Sequence, residues 1–526
     1  MWERSGWAEE NYDVLIDVAF EPLRGGWFKL AKRLNEPTLV FHRRQLLFLM
    51  KLAIEHCPVA GYDLLAAPPG PLGTILLMTS DHFHHGLFPY PGPDGDDFDK
   101  ISRLVAEFLP VNEYSGFRVE NKLTRAHLMM TRYSAQLRQH PDYIDIPSEY
   151  ERVSGISLRD YQVLTMGLMA RITVLISLEK LRANSAVIAI KPGDFHQTLV
   201  PQATIEAFFR EFADTSENLL KLLQQGRQAR RDFGANDFTV FRKKPLITEG
   251  YASLPADVIF VIERFETGPY WRVNSIDTAT GDKLRRFWGP VFEAYVNDLI
   301  RSYAPNFITD PRLIDKPNEQ LCDGLLVEGD ALVVMEYKAS MFTAESKYSG
   351  DYIKLREEIA KKLVRDSAER SKKGVEQLAA AVTTLFADPN KVVVQGLDVS
   401  QIKRVYPLLL TLDDVGSSLL MSRLLGFSFD TAFQRDSVKG VEVKPLLCTD
   451  IESLEVAIPN VTDKPLSDLL QHWLDKDPLL LATLMAHFPE LALKRNEFLD
   501  REWEQLTQQT SLTLFNRMHP PRVGRS

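Results

Sequence analysis

The 526-residue chain has three cysteines, Cys57, Cys322 and Cys448, far apart in sequence. So sparse and odd a set makes neither a disulfide framework nor a CxxC metal knuckle, and it suits a reducing compartment. Long apolar runs are missing too. The most apolar stretch, 163–178, is interrupted by Arg171 and falls short of the roughly 20 apolar residues a membrane span needs. The first residues carry Glu3, Arg4, Glu9 and Glu10 in place of an apolar core, so no signal peptide is expected. A protein with no membrane partner in the cytoplasm is the expectation. The sequence lacks a phosphate-binding P-loop, a GxGxxG turn after a strand and a GxSxG elbow, which argues against an NTP-driven motor in this chain. No repeat is evident at periods of 20 to 50 residues. Positive charge is in deficit: 62 Lys and Arg stand against 71 Asp and Glu, for a net charge of −9. That excludes coating nucleic acid by bulk charge, while leaving a local basic groove open.

What is present is globular. Hydrophobic residues make up 45% and charged residues 25%, an ordinary balance for packed domains rather than disorder. The length corresponds to roughly three to four domains of ~150 residues. The first part reads as mainly helical: 45–54 is a nearly continuous apolar run, and Ile205, Phe208, Phe209, Phe212, Leu219, Leu220 and Leu223 form a helical stripe with a soft centre. A Pro/Gly/Asp-rich segment near 88–100 reads as a loop break. The run 257–262 fits either a short strand or a buried helical turn. A polar, Gly-containing stretch at 278–282 reads as a change of character. After Gly289-Pro290, the residues Phe292, Tyr295, Val296, Leu299, Ile300 and Tyr303 follow a helical stripe. The main boundary is therefore placed near 285, dividing 1–285 from 286–526.

Beyond it the chain reads helix, strand, strand, helix, strand. Apolar runs at 322–328 and 331–338 flank Gly329-Asp330, a pair suited to a two-residue hairpin turn. The register pairs Glu328 with Ala331 and Val327 with Leu332, and continued along the strands it sets Asp323 opposite Glu336. Opposed residues share a face with Cβ atoms about 4.5–5.5 Å apart. Lys338, two residues beyond Glu336, joins that face by strand alternation. Two carboxylates so placed repel unless a cation sits between them, and hard ions such as Mg²⁺ or Mn²⁺ prefer oxygen ligands. A helix at 374–387, a buried strand at 405–412, a further strand at 444–448 and a helical tail from Leu466 complete the reading.

Asp323, twelve intervening residues and then Glu336-Tyr337-Lys338 resemble the PD-(D/E)XK nuclease superfamily over about 286–415. The resemblance implies an α/β restriction-endonuclease-like fold, a central mixed sheet flanked by helices, behind a mainly helical N-terminal region. It implies that Asp323, Glu336 and the Tyr337 carbonyl bind the metal, with Lys338 as catalytic lysine. It further offers Glu293 as a carboxylate on the preceding helix and Gln377 on the following one. Cys322 stands where the motif has proline, and a long charged stretch separates Lys338 from Gln377. The expected activity is Mg²⁺- or Mn²⁺-dependent cleavage of DNA, less readily RNA, in bacterial restriction or anti-phage defence. A homodimer or a partner ATPase or sensor subunit is consistent with that setting. Two basic segments offer phosphate contacts: Arg230, Arg231, Arg242, Lys243 and Lys244 in one, Lys361, Lys362, Lys372 and Lys373 in the other. The same segments also read as solvated helix faces. The run Asp81-His82-Phe83-His84-His85, three histidines beside an aspartate, reads as a solvated loop rather than a zinc site, and 94–105 fails as a calcium loop because Asp99 replaces the glycine. The rival reading is a non-catalytic nucleic-acid-binding or assembly subunit on a nuclease-like fold.

Overall fold

The computed structural model describes residues 43–56, 97–112, 118–175, 189–228, 236–250, 252–313, 316–349, 351–366, 371–387, 397–438 and 440–515. The histidine-rich segment at 81–85, the loop at 88–96, Arg230 and Arg231 lie outside them.

The early helices are α1 (Arg43–His56), α2 (Asp97–Asn112), α3 (Val119–Leu128), α4 (Leu158–Leu175), α5 (Gln202–Phe212), α6 (Ser216–Gln228) and α7 (Val258–Asn274). The soft centre of the 205–223 stripe is a true break: Ala213–Thr215 leaves the helix and pairs in parallel with Leu246–Glu249. The ambiguous run at 257–262 is helical, because Asp257 caps α7 by accepting from the Ile259 N–H at 2.7 Å.

The helix α8 (Thr278–Arg301) corrects the expectation that a helix starts after Gly289-Pro290. It starts three turns earlier, where Asp277 accepts from the Thr280 N–H at 2.8 Å, and Pro290 is interior. The polar stretch at 278–282 is thus its first turn. Leu284, Phe287, Val291, Tyr295 and Leu299 extend one buried stripe through the proline, and tertiary burial outweighs the roughly 3 kcal/mol interior-proline penalty. Position 285, expected as a boundary, falls inside this helix.

The central sheet comprises β1 (Ile308–Thr309), β2 (Gly324–Glu328), β3 (Ala331–Lys338), β4 (Arg404–Thr411), β5 (Glu442–Val443) and β6 (Leu447–Asp450). Among the described residues the order is β5-β4-β3-β2-β1, with β6 also pairing β4. β2 pairs β3 and β1 antiparallel, while β4 pairs β3, β5 and β6 in parallel. The molecule is therefore mixed α/β. The β2–β3 hairpin has the expected register, Glu328 with Ala331 through Gly324 with Met335. Gly329 takes φ 63°, the left-handed backbone that a turn of this length needs and glycine adopts at no steric cost.

Two apolar layers cover the sheet. Val333, Met335 and Tyr337 pack with α8 and the early helices. Leu332, Val334 and Leu409 pack on the other face with α9 (Tyr352–Ile359), α10 (Gly374–Ala387) and α11 (Met421–Ala432). The tail supplies α12 (Ile451–Ala457), α13 (Leu466–Lys476) and α14 (Glu497–Phe515). Leu454, Leu470 and Leu514 join the same core as Leu123 and Val333, so residues from both sides of position 285 share one interior. No described helix is long and apolar enough to cross a membrane.

Candidate active site

The hairpin register carries the chemistry. The Asp323 N–H donates to the Met335 carbonyl at 3.1 Å, one residue off the ladder, whose last pair is Gly324 with Met335. Asp323 Oδ2 in turn accepts from the Tyr337 N–H at 2.5 Å. Along β3, Glu336 and Lys338 have the same parity as Leu332 and Val334, facing α10. Glu336 is only 3% exposed, and its Oε1 accepts from Lys338 Nζ at 2.7 Å. Glu293 comes from α8 on the opposite layer and meets the group at the strand end. Gln320 links the two sides: its Nε2 donates to Asp323 Oδ1 at 3.2 Å and to Glu293 Oε1 at 3.4 Å.

The electrostatics follow from crowding carboxylates in a poorly hydrated place. Burial, with repulsion from Asp323 and Asp310, pushes the Glu293 carboxyl up to about 7. Burial also pushes Glu336 up to about 7; Lys338 opposes the rise, and Asp323 and Glu293 add to it. Asp323 is raised as well, chiefly by burial. Burial disfavours the Lys338 charge, yet Glu336, Asp323 and Glu293 outweigh it, and its pKa is raised. Glu336 and Lys338 each respond to all three other groups, and Glu293 responds to Asp323 and Lys338, so the four side chains lie near one another.

Gln377 lies on α10, half-buried, and its Oε1 has no hydrogen-bond partner. It is three residues beyond Gly374, and a Cβ at Gly374 would stand 3.2 Å from Lys338 Cε. Positions i and i+3 are neighbours on a helix surface, so Gln377 occupies the helix face that meets Lys338.

Two participants escaped sequence reasoning. Asp310 takes φ 49°, pairs with Arg312 at 2.7 Å and donates its N–H to the Asp323 carbonyl at 3.3 Å. The Asp310-Pro311 dipeptide marks a turn, but nothing in it marks proximity to Glu293. Gln320 sits on the polar strand Lys316–Gln320, a segment without periodic signal.

The basic residues divide. Arg242 pairs with Glu263 and stacks over Phe260 and Tyr348. Lys244 donates to the Arg210 carbonyl. Lys362 pairs with Glu358, reaches the Met341 carbonyl and lies over the Phe342 ring. These three hold the fold together, a role that apolar-flanked cations fill readily. Lys243, Lys361 and Lys372 are exposed, and Lys373 is half-buried.

The donor set suits a hard divalent cation: carboxylate oxygens, close enough to repel, with one cation already drawn to them. Among the described residues, however, no three His, Cys, Asp or Glu side chains converge as a ready-made metal group. Lys338 and Gln320 each engage carboxylate oxygens of this set. No protein-family model, curated protein or solved structure matches this chain.

Proposed function

We propose that this chain is a Mg²⁺- or Mn²⁺-dependent endonuclease that hydrolyses phosphodiester bonds of DNA, with RNA as the second substrate class, on a restriction-endonuclease-like fold. The observation that supports it most is the meeting of Glu293, Asp323 and Glu336 with the half-buried Lys338 at the end of one hairpin. A divalent ion held by Glu293, Asp323, Glu336 and the Tyr337 carbonyl would polarise the phosphoryl oxygen and acidify a bound water. Lys338 contributes a fixed positive charge, preorganised by its ion pair with Glu336, to orient the attacking water or balance the charge that develops on the phosphate. Gln377 lines the same approach from α10. The exposed Lys243, Lys361 and Lys372 would position the nucleic-acid backbone without reading its sequence. One such site cuts one strand, so duplex cleavage calls for a second copy, and a partner ATPase or sensor subunit fits a nuclease that must be triggered. Bacterial restriction or anti-phage defence is the setting the motif resemblance implies.

The test incubates the purified chain with plasmid, linear DNA and RNA in Mg²⁺ or Mn²⁺. Cleavage lost at least 100-fold in Lys338→Met and Glu336→Gln supports the assignment; cleavage unchanged in both removes it. The pre-formed Lys338–Glu336 pair favours a second reading, a non-catalytic nucleic-acid-binding or assembly subunit. Nucleic-acid binding with no cleavage under any metal condition would select that reading.

A further inference from the structure

The chain leaves β3 beside the carboxylate cluster, and one hydrogen bond fixes the direction of its next backbone donor. β3 has β4 on one side and β2 on the other. The Lys338 carbonyl points to the β4 side, where it accepts from the Leu412 N–H at 2.9 Å. Among the described residues no peptide is cis, and across a planar trans peptide the C=O and the N–H point in opposite directions. The Ala339 N–H therefore points away from β4, to the β2 side. β2 does not reach that far. Its ladder ends with Gly324 opposite Met335, and the Asp323 carboxylate takes the next place by accepting from the Tyr337 N–H. One step further along, the Ala339 N–H meets no acceptor among the described residues.

The Met335 carbonyl faces β2, where it accepts from the Asp323 N–H, and carbonyls two residues apart on a strand point the same way. The Tyr337 carbonyl therefore faces that side too, and the Ala339 N–H follows it along the same edge. The Ala339 side chain continues the alternation: it packs against the core that holds Val333, Met335 and Tyr337, so the extended course runs through this residue. The chain just beyond is held by charged side chains. Lys362 donates to the Met341 carbonyl. Asp413 Oδ2 accepts from the Phe342 N–H at 2.9 Å, and Glu358 Oε1 accepts from the Thr343 N–H at 3.1 Å. Asp413 is itself buried and paired with Lys347 at 2.8 Å. With the Leu412 bond on one side of it and these three on the other, the open donor sits in a fixed stretch of backbone.

We propose, resting on the nuclease reading above, that the Ala339 N–H is a further catalytic group of this site and donates to a non-bridging oxygen of the phosphate under attack. Glu293, Asp323 and Glu336 repel a phosphate, so each donor at the site has to offset that repulsion. A backbone N–H does so without titrating, and one already held in place costs no reorganisation as negative charge develops. Backbone N–H groups are regular partners of nucleic-acid phosphates, and they carry no sequence preference.

Replacing Ala339 by lactate turns the Lys338–Ala339 amide into an ester, which removes this N–H and keeps the side chain. Cleavage of a DNA duplex in Mg²⁺ should then fall on the order of 100-fold, with Mn²⁺ binding, read by electron paramagnetic resonance, unchanged. Duplexes carrying all-Rp or all-Sp phosphorothioates separate a contact from structural damage. The contact concerns one non-bridging oxygen, so the ester should lose most of its disadvantage on the diastereomer whose sulfur replaces that oxygen and keep it on the other. An equal loss on both diastereomers, or no loss on the oxygen duplex, overturns the proposal and leaves the nuclease reading standing. Should the ester chain fail to fold by circular dichroism, a second measurement on the unaltered chain decides. With ¹⁵N-labelled alanine, the Ala339 amide signal is assigned by its disappearance in Ala339→Ser. Its proton should move downfield on addition of the duplex and Mg²⁺, and stay in place with the same duplex built on uncharged methylphosphonate linkages. A signal unmoved by the phosphate duplex overturns the proposal. A signal that moves in a chain that cuts no DNA keeps the phosphate contact and refutes the nuclease reading.

Discussion

Glu293 and Glu336 hold their protons too tightly for ordinary glutamates, and that has a direct consequence for stability. Both are raised from 4.5 to about 7, so between those values the folded state binds more protons than the unfolded state. The stability these two groups contribute is then fully present below about pH 4.5 and is lost as pH rises through 7, the reverse of a salt-bridged carboxylate. The loss for Glu293 is on the order of 1–3 kcal/mol after allowing for its coupling to its neighbours. Without divalent metal, the unfolding midpoint should therefore drop between pH 5.5 and 8, and Glu293→Gln should flatten part of the drop. Glu336, together with Asp413 and Asp450, which burial raises to about 6, keeps the rest. A Glu293→Gln profile parallel to wild type would show that Glu293 ionises freely. Gln320 is the other residue whose position predicts something. Its amide bridges Asp323 and Glu293 and so competes with any cation for the same oxygens. Gln320→Ala should bind Mn²⁺ severalfold more tightly than wild type, read by electron paramagnetic resonance of the free ion. Weaker binding would instead make Gln320 part of the ligand shell.

At the scale of elements, the site depends on how closely α10 docks on the sheet. A Cβ at Gly374 would lie 2.8 Å from the Leu363 carbonyl and from Leu409 Cδ1, and 3.2 Å from Lys338 Cε. The backbone oxygen cannot step aside, so Gly374→Ala should displace the start of α10 and cost about 1–3 kcal/mol, the usual range for overpacking. Because Lys338 must also shift, DNA cleavage should fall more than stability does. Equal activity with lowered stability would mean the lysine tolerates movement. The same elements show what the sequence makes legible. The α10 bounds are readable because Gly374 opens a clean apolar stripe of Val375, Leu378, Val382 and Leu385, and the hairpin is readable because its turn and alternation agree. The first turns of α8 are hidden: Thr278, Thr280 and Gly281 look like loop, Pro290 looks like a start, and only the Asp277 cap and distant packing override them. The α5–α6 break is masked by phenylalanines and leucines that continue the helical spacing across it. Register and strand alternation gather Asp323, Glu336 and Lys338, and the motif resemblance adds Glu293, whereas Gln320 and Asp310 reach the site through a polar strand and a strained turn that no periodicity describes.

At the scale of the molecule, early and late parts of the chain are joined by buried charge as well as by apolar packing. Arg125 on α3 is 1% exposed. It donates to both carboxylate oxygens of Glu455 on α12 at 2.8 Å and to Glu266 on α7 at 2.7 Å. Lys122 pairs with Glu452 at 2.6 Å, and Tyr295 on α8 donates to Glu455 Oε1 at 2.5 Å. Glu455 itself is fully buried, so its charge is tolerable only while Arg125 remains. Removing one partner of such a pair typically costs about 3–5 kcal/mol, because the other charge is left uncompensated in low dielectric. Four helices converge here, and the core around them includes sheet residues such as Val333 and Met335. A defect at this point should therefore reach the sheet and the helical layer together. Arg125→Met should lower the unfolding midpoint of the whole chain in one calorimetric transition, and the hairpin cluster should lose structure at the same temperature as the early helices. Two transitions, of which only the lower one moves, would instead assign the early helices and the sheet to separate folding units and leave the charge network as a tether between them.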